Sequence, residues 1–264
     1  MTETVEGVVE LVPGKLYALG GSFELQGRTS WLPPDARGTH RCSCYLLLED
    51  SEALLIDTGP AVFRELILSQ LRSLLPSGSE LSIFLSRAEL ETTGNLTHIA
   101  SAIPVKAVHT GGVPNVADGF NLITLAQGYV SELPIRRTLI GTSLPLGLER
   151  RLEVFAPALR MLSAYWVYDT GTQTLFPSDA FGYTIDSPVL GSDEAWRNLT
   201  SRYWWLPGAH TEKLVEDLRA IFESRPIEII APVHGCILRG RELVRTHYEL
   251  MQELLDRHGA LSRG

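Results

Sequence analysis

The 264-residue sequence predicts an α/β fold in one domain spanning residues 1–264. Three observations carry that reading. Short β-like runs mix with stretches of helical apolar spacing. Four of the strand-like runs end in turns of polar or charged residues, where layered α/β proteins assemble their sites. No linker, repeat or low-complexity segment divides the chain.

The elements follow in order. "VVELV" (8–12), "LYALG" (16–20), "CYLLLE" (44–49) and "ALLIDTG" (53–59) read as strands, set apart by turn residues such as Pro13-Gly14 and Glu49-Asp50. Apolar residues at Phe63, Leu66, Ile67, Leu71 and Leu74 then keep one face of an amphipathic helix. The strand "LSIFLS" (81–86), a polar turn, a helix over Asn95–Ile103 and the strand "VKAVH" (105–109) come next. In the second half, strands are expected at "LEVFAP", "SAYWVYD", "QTLFPSD" and "IEIIAPV". Helices are expected at 211–223, with Thr211 as N-cap, and at 241–257. Long loops are expected at 20–40 and 184–209.

Composition excludes several classes. The formal charge is −8, from 23 Lys and Arg against 31 Asp and Glu, and no basic block stands out. Nucleic-acid and anionic-membrane partners are not expected. The first residues, "MTETVEGVVEL", lack the basic start and apolar run of a signal peptide, and no run is long enough to span a bilayer. Three cysteines argue against a disulfide framework and for a reducing, cytoplasmic setting.

The four strand-turn stations are "LLIDTG" (54–59), "FLSRAELETTG" (84–94), "LFPSDAFG" (175–182) and "APVHGC" (231–236). Singly each is weak, since an Asp after a strand is more often a helix cap and a lone His more often structural. Together they resemble the metallo-β-lactamase superfamily, and within it the diiron domain of flavodiiron proteins. "SRAELETTGNL" looks like the family's His-x-Glu-x-Asp-His-x-Gly turn, and "YDTGTQTLFPSDAFG" like the segment bearing the bridging Asp. "IIAPVHGCILRG" looks like the closing Pro-x-His-Gly, and "SRYWWLPG" like the aromatic segment before the penultimate helix. The resemblance covers roughly residues 8–255 and implies a four-layer αββα sandwich.

Carried over by position, the family's ligands meet altered residues. The first turn offers Arg87, Glu89, Glu91 and Thr92, and the position expected for a later His holds Arg160. Asp179 and His234 keep the family's types. Arg87, Thr92 and Arg160 are therefore read as ligand-replacing, with two guanidiniums facing Glu89, Glu91 and Asp179 in place of metals. Arginine cannot be deprotonated in ordinary conditions and has no lone pair for a metal, so this pattern suits a salt-bridge network. No bound cofactor is expected. If a metal binds, iron or zinc on Glu89, Glu91, Asp179 and His234 is the expected set. Asp57, His40 and Cys236 are further pocket candidates. Cys42 and Cys44, two apart on a strand, are expected in the core rather than as a redox pair.

The resemblance implies oxygen or nitric oxide reduction at irons fed by flavin from an appended flavodoxin-like domain. That domain would begin about where this sequence stops, and no flavin phosphate loop occurs in it. Three functions follow. The first is a non-catalytic binding or regulatory module, including an inert subunit paired with itself or with a related chain. The second is a metal-dependent oxidoreductase with a separate redox partner, or a single-metal hydrolase. The third is a metal-free enzyme that holds an anion on Arg87 and Arg160 with His234 as base. Tyr203, Trp204 and Trp205 are read as packing or a dimer contact, with a ligand cleft as the alternative, and Tyr129 and Tyr183 as conceivable lining.

Overall fold

The computed structural model describes residues 7–27, 29, 32–111, 133–159, 164–185 and 191–261. These group into two compact units interleaved along the chain. The first takes residues 1–21, 42–155 and 162–172; the second takes 22–41, 156–161 and 173–264.

A seven-stranded sheet organises the first unit, in the spatial order β1 (Val9–Val12), β2 (Leu16–Glu24), β3 (Thr39–Glu49), β4 (Glu52–Ile56), β5 (Glu80–Leu85), β6 (Val105–Thr110) and β7 (Ile135–Arg137). Pairing is antiparallel at β1–β2 and β3–β4 and parallel from β4 to β7. The crossover from β4 to β5 is supplied by α1 (Arg64–Leu74), and that from β5 to β6 by α2 (Leu90–Thr93) and α3 (Leu96–Ala102). Helix α1 buries Ile67 and Leu71 of the face read from the sequence, and Leu68 beside them. Ile67 and Leu71 join Ile99 of α3 and Leu46, Leu55, Ile83, Leu85 and Val108 of the sheet in one apolar core. Cys44 lies in that core, and Cys42 is likewise buried; neither forms a disulfide. The same unit holds β8 (Ser143–Leu146), β9 (Arg150–Phe155) and β10 (Trp166–Asp169), paired antiparallel.

In the second unit β11 (Thr174–Phe176) runs parallel to β12 (Ile229–Ile230), which pairs antiparallel with β13 (Leu238–Arg239). Three helices follow the strands' loops: α4 (Ser192–Arg202), α5 (Glu212–Ser224) and α6 (Arg241–Leu261). Among the described residues no helix is long and apolar enough to cross a membrane.

Two expectations need correction. The stretch 184–209 is not one loop, because α4 occupies its middle. Thr211 is the N-cap residue of α5 as expected, but its side chain makes no cap bond; its hydroxyl instead donates to the Leu255 carbonyl of α6 at 2.7 Å. A buried carbonyl near the end of a neighbouring helix outcompetes an N-terminus that water can satisfy.

Candidate functional site

In the first unit the turns after β4 and β5 are stitched together. The Asp57 N–H donates to the Phe84 carbonyl at 2.8 Å, and Thr58 N–H and hydroxyl both donate to the Thr92 carbonyl. Asn95 donates its side-chain amide to the carbonyls of Thr58, Gly59 and Pro60. Asp57 takes a left-handed backbone, φ 60°, and turns its carboxylate onto Ser86, accepting from both the backbone N–H and the hydroxyl at 2.8 Å. Burial pushes the Asp57 pKa up to about 7, against the Ser86 hydrogen bonds and the charge of Arg87, with Glu91 adding to the rise.

Ser86 delivers Arg87, whose side chain is only 2% exposed. Its Nε lies 3.1 Å from Glu89 Oε2 and its Nη2 lies 2.8 Å from Glu91 Oε1. The two acids are about a quarter to a third exposed, at 30% and 26%. Glu89 is also the N-cap of α2, in a capping box with Thr92. The Thr92 hydroxyl sits 2.8 Å from the Arg87 carbonyl and 2.9 Å from that of Glu89, so it tightens the turn's backbone.

In the second unit Asp179 follows β11 in a sharp loop, with Ser178 and Phe181 both left-handed at φ 54° and 62°. Arg202, the last residue of α4, donates from Nη2 to Asp179 Oδ2 at 2.8 Å; both side chains are under a tenth exposed. Tyr203 is fully buried beside them, and burial raises its hydroxyl pKa well above the ordinary phenol value. His234 comes on the loop after β12, tied down by Val233 N–H to the Ser178 carbonyl and Gly235 N–H to the Arg41 carbonyl, each 2.8 Å. The loops of Asp179 and His234 meet at Gly182, where a Cβ would lie 2.9 Å from the Asp179 carbonyl and 3.2 Å from His234 Cβ. His40 stacks on His234 with ring centroids 5.6 Å apart. Burial, then the charges of His234 and Arg202, lower the His40 pKa to about 3. Cys236 is buried, with its N–H donating to the Thr184 hydroxyl at 2.9 Å. Tyr183 bonds His247 Nδ1 through its hydroxyl at 2.9 Å.

Each unit therefore presents a buried guanidinium facing carboxylate: Arg87 on Glu89 and Glu91, Arg202 on Asp179. Arg202 was not among the residues singled out from sequence. Arg160 and Tyr129 lie outside the described residues, so the cation observed on Asp179 is Arg202. The signal that marks Arg202 is its place at i+3 from Leu199 and i+4 from Asn198, on the buried face of α4.

No family model matches the chain. Over 197 residues it is 27% identical to "Putative diflavin flavoprotein A 1" of Thermosynechococcus vestitus, a match covering 73% of this chain and 33% of that protein. The chain spans about a third of the length of the curated relatives it matches. Among solved structures, rubredoxin oxygen:oxidoreductase from Desulfovibrio gigas superposes with a TM-score of 0.74 at 17% identity, over 94% of this chain and 61% of that one. The fold is that of the flavodiiron proteins' metallo-β-lactamase-like domain. The flavodiiron protein from Giardia intestinalis also superposes, with a TM-score of 0.65 at 16% identity, over 93% of this chain and 58% of that one. Within this flavodiiron fold the four stations read from sequence lie at strand C-terminal ends, after β4, β5, β11 and β12.

Proposed function

We propose that this chain is a flavodiiron-like module in which arginines have replaced metal ions as partners of the site acids, and that it acts as a non-catalytic binding or regulatory subunit. The observation that carries this reading is Arg87, buried to 2% exposure with Glu89 and Glu91 at 3.1 and 2.8 Å. A guanidinium in that place repels a cation and occupies the carboxylate oxygens a metal would need. Arg202 on Asp179 supports the same reading in the second unit. The first turn contains no imidazole, so the residues present do not fit a pair of metals, and no redox step is assigned to them. In this reading the acids persist because buried arginines need counter-charges.

Elemental analysis of protein purified without chelator tests the proposal. Iron and zinc well below one equivalent per chain are expected; two equivalents of either would overturn it. A second reading rests on Asp179 and His234, whose loops meet at Gly182: a metal-dependent oxidoreductase or a single-metal hydrolase. One tightly held equivalent, lost on Asp179→Asn, would favour that reading. As an inert subunit the chain would pair with a copy of itself or a related chain, which its mass in solution and in mixtures measures.

A further inference from the structure

Away from these turns, the first unit carries a cleft of about 220 Å³ along strands β4 to β7, with Leu144, Pro145 and Leu146 of β8 as its apolar wall. Its polar lining is Glu52, Glu80, Ser82, Lys106, His109 and Arg136. The charges divide into two groups. Lys106 Nζ bonds Glu52 Oε1 at 3.1 Å and Glu80 Oε2 at 2.5 Å, and the other Glu52 oxygen accepts the Gly147 N–H at 2.8 Å. The Gly147 and Lys106 bonds hold the Glu52 carboxyl below its usual range. Both acids are thus committed to donors.

On the other side the β6–β7 register sets His109 directly opposite Arg136. Among the described residues no carboxylate forms an ion pair with either. His109 Nδ1 lies 3.4 Å from the Thr138 hydroxyl. Burial, then the charge of Arg136, lowers the His109 pKa, so the ring gains no charge of its own beside the guanidinium. The pair therefore sets one fixed cation beside a neutral ring donor on the same face of the strands, with, among the described residues, no carboxylate between them. A guanidinium, an imidazole and the Ser82 hydroxyl in one concavity match the donors that recognise tetrahedral oxyanions.

We propose that this cleft binds a small oxyanion of the phosphate class, held chiefly by Arg136 and His109. The volume lies below the roughly 300–1,000 Å³ of sites for drug-sized ligands, which suits a phosphate or short phosphomonoester rather than a nucleotide. The site lies apart from the acid–arginine turns and does not depend on the function proposed for them.

Calorimetric titration of the full chain with inorganic phosphate, and separately with glycerol phosphate, tests the proposal. Saturable binding of one anion per chain is expected. Arg136→Gln should weaken it at least about tenfold, the scale of one charge-assisted contact. Glu80→Gln, at a largely exposed position, should strengthen it by removing a negative wall. Tighter glycerol phosphate would identify an esterified ligand, and tighter inorganic phosphate the free anion. Thermal melts of both variants check that the fold is kept. Absence of saturation, or equal affinity in the parent and Arg136→Gln, would overturn the assignment.

Discussion

Burial raises the Asp57 carboxyl from its ordinary 3.8 to about 7, although two Ser86 donors and Arg87 work against the shift. The sign of the resulting pH dependence follows. Between those two values the unfolded chain releases a proton that the folded chain retains, so this group's stabilisation is full below about pH 4 and lost as pH rises to about 7. His40 and His247, lowered to about 3 and about 4, act oppositely: the stability they favour is present above 6.5 and fades as pH falls through the folded values. Comparing Asp57→Asn with the parent separates these effects. Urea unfolding at about pH 4.5 and about pH 8 should show the variant gaining relative stability at the higher value. No relative gain would mean that Asp57 is ionised throughout.

Helix α4 ends on Arg202 and thereby clamps the Asp179 loop. A cation in the last turn suits the helix dipole, and its burial demands the carboxylate it meets. Arg202→Ala removes the guanidinium from the buried Asp179 carboxylate, so a loss of about 3 kcal/mol in urea unfolding is expected. The double variant Arg202→Ala with Asp179→Ala should recover part of that loss, because the buried carboxylate that Arg202 served goes with it. A similar logic holds at α2, where Glu89 serves Arg87 and the helix N-terminus at once. Elements around these turns are short, so single side chains set their geometry. Gly235 shows how tight the packing is: at φ 78°, a Cβ there would come within 2.1 Å of the Thr184 carbonyl.

At the scale of the molecule, a ligand that binds only the folded chain raises its melting temperature. A metal held at 100 times its dissociation constant would add about 2.7 kcal/mol. With the acids on arginines, iron(II) or zinc added in modest excess should leave the thermal midpoint unchanged, as differential scanning calorimetry would record. A rise of several degrees in the parent, absent from Asp179→Asn, would return the site to metal chemistry. The flavodiiron fold is compatible with either outcome, since a fold hosts different sites on one scaffold.

The strands β1 to β6, helix α1 and the four strand-turn stations were legible in the sequence because each rests on short-range pattern: alternation, helical spacing and turn residues. The turn at Arg87 was legible for the same reason, since the residues it gathers, Glu89 and Glu91, lie within four positions. Helix α4 was not, because its buried face mixes Ala195 and Leu199 with Asn198 and Arg202, which hides the apolar period. The two- to four-residue strands β7, β8 and β13 are too short to show a clear period. Sequence alone thus determined the scaffold and a first turn that holds arginine, glutamates and threonine with no imidazole. Tertiary structure decided which cation meets Asp179 and that His40 lies on His234, because those contacts join residues 23 and 194 positions apart and no local pattern encodes them.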